Sequence, residues 1–106
     1  MKEILQEIKE LSINNKKSLE QICLKLSEET GECSQALLSY LKANGSEYKQ
    51  LNAQDVKEEC VDVILVALSL FYKLEENNDE LNEIITTKIK KWKEKSNISL
   101  GGNLYE

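Results

Sequence analysis

No proline occurs anywhere in the 106-residue chain, and only four glycines do. These two residues shape many tight turns, so a sheet-rich fold with a turn every few residues is disfavoured. What remains is a small number of long helices, and the hydrophobic pattern agrees. Ile4, Leu5, Ile8 and Leu11 share one helical face, predicting a helix over about 2–12 that Asn14 and Asn15 break. Ser18-Leu-Glu-Gln21 reads as a capping box, in which serine hydroxyl and glutamine amide satisfy each other's orphan backbone donors. A second helix should run from 19 to about 43 and stop at Asn44-Gly45, where the glycine suits a left-handed cap. A polar connection over 46–52 leads to a third helix over about 53–75. Asn77 and Glu80 open a fourth, running to about Lys95. The expected architecture is all-α, an antiparallel bundle of about four helices. One domain should cover residues 1–96, with an irregular tail over 97–106.

Several chemistries are ruled out by what the chain lacks. It has no histidine, which removes Ser-His-Asp and Cys-His nucleophiles, histidine zinc sites and imidazole acid–base catalysis. All 14 basic residues are lysine, so no guanidinium clamp is available. The net charge of −5 offers no bulk support for gripping a nucleic-acid polymer. Small phosphorylated anions stay within reach if metal ions bridge them to carboxylates. Cys23, Cys33 and Cys60 are odd in number and form no CxxC pair, against a disulfide framework or a zinc ribbon. They are expected as small buried fillers in a reducing, cytoplasmic setting. The opening MKEILQEIKEL is charged throughout and does not read as a secretory signal.

From Val61 to Leu74, 11 of 14 residues are apolar, and they fall on every side of the helix. Asp62 and Ser69 interrupt this segment, which is also too short to span a membrane. A helix apolar all round is one buried all round. Three sister helices from so short a chain can hardly wrap it, so a homo-oligomer is expected.

The second and third helices also carry acids where apolar residues belong. Along the stripe Ile22, Leu26, Cys33, Ala36 or Leu37, and Tyr40, the member between Leu26 and Cys33 is Glu29, with Glu32 one turn on. Glu59 flanks the stripe Val56, Cys60, Val63 and Ala67, with Asp62 one turn later. Glu28 and Glu58 precede the two pairs. A single such pair would be ordinary surface decoration. Two pairs on apolar stripes imply carboxylates converging on a shared interior, and a cation is the usual means of keeping such a group ionised. Oxygen-only ligands point to Mg²⁺ or Mn²⁺.

The fourth helix adds Lys88 within the stripe Leu81, Ile85, Ile89 and Trp92, and Lys91 and Lys95 along its edge. A lysine there either snorkels outward or reaches a phosphate as a point charge. Trp92 reads as a core or interface anchor, or else as a stacking platform for a nucleobase.

Glu28-Glu-Thr-Gly-Glu32 followed by Glu58-Glu-Cys-Val-Asp62, with 26 residues between the two acid pairs, resembles the ExxE…ExxD signature of MazG-like all-α nucleotide pyrophosphohydrolases. The resemblance spans roughly residues 18–95. It implies a helical bundle that assembles as a homodimer or homotetramer, and Mg²⁺-dependent cleavage of a nucleoside triphosphate to monophosphate and pyrophosphate. Such a reaction would suit house-cleaning of the nucleotide pool. Carried over by position, Glu29, Glu32, Glu59 and Asp62 would be metal ligands, and one of Glu28, Glu29 and Glu32 the general base. Lys88 matches a family lysine, and Trp92 and Lys95 stand where asparagine and arginine are frequent. With Lys91, they would be the substrate-binding set. Phosphoribosyl-ATP pyrophosphatases share a similar acidic pattern. The competing expectation is a non-catalytic helical oligomer, either a nucleotide sensor or a partner-binding scaffold.

Overall fold

The structure is a computed structural model that describes residues 1–41, 52–74 and 78–99, with the side chains of α4 described over 80–96. Among these residues it is helical and has no strand: α1 (Lys2–Ile13), α2 (Leu19–Tyr40), α3 (Ala53–Leu74) and α4 (Asn78–Ser99). The all-α expectation therefore holds. The expected stop at Asn44-Gly45 and the residues from 100 onward lie outside the described residues. Two compact units are present, Met1–Glu76 with α1 to α3 and Asn77–Glu106 with α4. No helix among the described residues is long and apolar enough to cross a membrane.

Local chemistry starts the helices where the sequence marks them. Gln21 N–H donates to Ser18 Oγ at 3.1 Å while Ser18 N–H donates to Gln21 Oε1 at 2.8 Å, completing the capping box of α2. A second reciprocal pair, not anticipated from the sequence, opens α3. Asp55 N–H donates to Asn52 Oδ1 and Asn52 N–H to Asp55 Oδ2, each at 2.9 Å. Two helix ends differ from the pattern. α2 stops at Tyr40, ahead of the expected 43, with the Leu41 N–H closing on the Leu37 carbonyl. α4 continues to Ser99, past the expected end at Lys95 and into the expected tail, because nothing before Gly101 breaks a helix.

α2 and α3 run antiparallel. Lys17, just before α2, meets Lys73 near the end of α3, while Cys33, deep in α2, meets Cys60 near the start of α3. The end of α1 packs on the second half of α3, where Ser12 and Ser69 hydroxyls lie 3.4 Å apart. Ser12 also donates to the Ile8 carbonyl, which satisfies a hydroxyl at a buried position. The small core contains Ile22 and Ala36 of α2 and Tyr72 of α3. Burial pushes the Tyr72 phenol above its usual pKa.

Several expected stripe residues are not covered. On α1, Ile4 and Leu11 are exposed and Ser12 is buried instead, so the inward face is rotated from the one the pattern set. On α2, Leu37 and Tyr40 are exposed. On α3, Val61, Ile64 and Leu65 stay 40–53% exposed, as expected of a helix apolar all round with too few neighbours to wrap it. Within α4, Leu81 is buried, but Ile85, Ile89 and Trp92 are exposed.

Candidate metal centre

The acids of α2 and α3 meet. Glu28, Glu29 and Glu32 each bring one carboxylate oxygen within 4.8 Å of the others, and Glu29, Glu59 and Asp62 do the same across the two helices. Glu29 belongs to both groups, which makes one continuous cluster. The convergence follows from two local facts. Spacing of three or four residues stacks acids on one helical face, and the antiparallel seam sets Cys33 beside Cys60, which aligns the acids that precede them.

Glu29 is 7% exposed, so its place in the apolar stripe is real. Its charge is met from within its own helix. Lys25 Nζ lies 3.0 Å from Glu28 Oε1 and 3.0 Å from Glu29 Oε2. These carboxylates, Glu29 first, hold the Lys25 ammonium well above its ordinary pKa. Lys25 was not singled out in the sequence. The signal was available, because a lysine four residues before a glutamate on a helix is a standard pairing distance.

Glu59 has no such partner. Its Oε1 is shut off from solvent and lacks any hydrogen bond, the one buried side-chain nitrogen or oxygen in that condition among the described residues. Its carboxyl is pushed above the ordinary range, first by desolvation and then by the charges of Asp62, Glu32, Glu29 and Glu58. Five carboxylates around one ammonium is an arrangement short of positive charge.

The donor set suits a hard divalent cation. Every candidate ligand is a carboxylate oxygen, and the buried, partnerless Glu59 Oε1 is the kind of atom a cation satisfies.

Lys88, Lys91, Trp92 and Lys95 all lie on α4, in the other compact unit, and all are exposed, Trp92 to 73%. Trp92 is therefore no core anchor within the chain. The cysteines also differ from expectation. Cys23 and Cys60 are exposed and Cys33 half-buried, so they are not buried fillers.

Comparisons of the chain with family models, curated proteins and solved structures gave no match in any of the three.

Proposed function

We propose that the protein is a Mg²⁺-dependent nucleotide pyrophosphohydrolase of the MazG-like kind, with Mn²⁺ as the alternative ion. Its substrates are nucleoside or deoxynucleoside triphosphates, and its products the monophosphate and pyrophosphate. One observation carries the reading: Glu29 joins the two acid groups into a single oxygen-lined cluster that includes the partnerless Glu59 Oε1. A simple surface decoration of acids would leave each carboxylate hydrated, as Glu59 Oε1 is not.

Glu29, Glu32, Glu59 and Asp62 would hold the ion. When bound, it supplies electrophilic assistance to cleavage of the phosphoanhydride. A carboxylate among Glu28, Glu29 and Glu32 takes the proton from a water attacking the phosphorus next to the sugar, and pyrophosphate leaves. Lys25 bridges Glu28 and Glu29 and holds them side by side. Lys88, Lys91, Trp92 and Lys95 of α4 are the substrate-binding residues that the family resemblance assigns, lysines for phosphate charge and the exposed Trp92 for stacking on a base. Assembly into a homodimer or homotetramer belongs to the same reading, supported by the uncovered apolar residues Val61, Ile64 and Leu65 of α3.

Those uncovered residues equally favour a second reading, a helical oligomer that binds nucleotides or partners without turnover. Pyrophosphate release from a panel of canonical and modified triphosphates separates the two. The enzyme reading expects release that needs Mg²⁺ and is lost in Glu59→Gln. Folded, oligomeric protein that releases none from any nucleotide would overturn it in favour of the second reading.

A further inference from the structure

Cys33 directly follows Glu32 on α2, and Cys60 directly follows Glu59 on α3. Their sulfurs lie 3.7 Å apart, in contact across the seam between the two helices. Both are free thiols, Cys33 half-buried and Cys60 exposed, so a small reagent in solution can reach the pair from the Cys60 side. A disulfide needs sulfurs about 2.05 Å apart. The 3.7 Å contact leaves a gap of about 1.7 Å for side-chain rotation and a slight approach of α2 to α3 to close.

We infer that Cys33 and Cys60 form a redox-modification site, a reversible disulfide that ties α2 to α3 beside the acid cluster. The oxidant is a low-molecular-weight disulfide of the glutathione type. The thiolate of one cysteine attacks a sulfur of that disulfide, whose S–S bond breaks, and one small thiolate leaves and takes up a proton. The thiolate of the other cysteine then attacks the mixed disulfide and releases the second small thiol. Two protein thiols are oxidised, one small disulfide is reduced to two thiols, and the protons balance. Cys23 sits ten residues before Cys33 on α2 and is exposed. It provides a thiol within the same chain that should stay outside the cross-link. The inference needs only the α2–α3 seam and does not depend on the protein being a pyrophosphohydrolase.

The test treats the reduced full-length chain with glutathione disulfide and reads denatured thiol content, intact mass and cross-linked peptides. Reactive thiols should fall, since the pair is consumed while a peptide carrying Cys33 becomes joined to one carrying Cys60 within a single chain. The mass should drop by about 2 Da for the two hydrogens lost, and dithiothreitol should restore the starting state. Cys23→Ser should cross-link as the wild type does, whereas Cys33→Ser should give no intrachain link. Retention of every thiol, a link through Cys23, or glutathione adducts with no Cys33–Cys60 bond would each overturn the inference.

Discussion

The two ends of the α2–α3 pair treat charge in opposite ways. At one end the Lys73 ammonium of α3 donates to the backbone carbonyls of Asn15 and Lys17, the latter at 3.0 Å, and closes the turn between α1 and α2. There the chain supplies both donor and acceptors, and the charge is settled internally. At the other end Glu28, Glu29, Glu32, Glu59 and Asp62 cluster, Lys25 pairs with Glu28 and Glu29 alone, and one buried Glu59 oxygen has no hydrogen-bond partner. Leaving a buried polar atom unpaired costs stability, on the order of 1–3 kcal/mol for a neutral group and more for a charged one. The charge at one end is met within the fold, whereas the acids at the other outnumber the ammonium that pairs with them. The first end holds the helices together. Under the proposed function, the second is where a cation would bind.

The contrast can be broken most forcefully at Glu29, the residue shared by both acid groups. Glu29→Gln should lower Mg²⁺-dependent pyrophosphate release by roughly a hundredfold or more, as expected when a charge-stabilising group is removed. Helical circular dichroism should stay unchanged, and turnover near the wild-type rate would refute the role given to the cluster. Next in size is the response to metal. Saturating Mg²⁺ at about 100 times its Kd should raise the unfolding midpoint by about 10 °C in wild type. The rise should disappear in Glu59→Gln, as followed by differential scanning fluorimetry.

Lys73→Met tests the opposite end. It should cost about 1–3 kcal/mol in a urea melt, since two carbonyls lose a charged donor. The Mg²⁺-induced rise should survive in that variant, because the acid cluster is untouched. A Lys73→Met protein that lost its response to Mg²⁺ would show that the two ends are not independent.

The smallest effect concerns pH in the presence of a chelator. Glu59 is held above the ordinary carboxyl range in the folded chain, so the folded state binds its proton more tightly than the unfolded state does. The penalty is absent below the unfolded glutamate pKa of about 4.3, develops as pH rises through the folded value, and is complete above it. Glu59→Gln should therefore be more stable than wild type at neutral pH without metal, and the difference should shrink as the solution is acidified. Urea melts at a series of pH values would measure it.

Much of this was legible in the sequence because it is local. The Ser18–Gln21 capping box, the helical periods and the two i, i+3 acid pairs are written within a few residues of one another, and the structure keeps them. Lys25 was equally local, but a lysine next to glutamates on a helix usually signals only a solvated pair. The Lys73 contacts span more than 50 residues, and no local pattern encodes them. The Cys33–Cys60 contact needed the antiparallel register of α2 and α3, which the spacing of the acids hints at but does not set. The burial of Ser12 in place of Leu11 goes with its contact to Ser69 of α3, and periodicity alone cannot choose between neighbouring faces.

The central claim is that the α2–α3 acids hold a divalent cation, and Mn²⁺ reads this directly. Titrating the chelator-treated protein with Mn²⁺ while following the free-ion signal by electron paramagnetic resonance counts the ions each chain takes up. The account predicts at least one Mn²⁺ per chain, displaced by Mg²⁺ and lost in the Glu29→Gln and Glu59→Gln variants. A free-ion signal that rises from the first addition, identical in wild type and both variants, would contradict it.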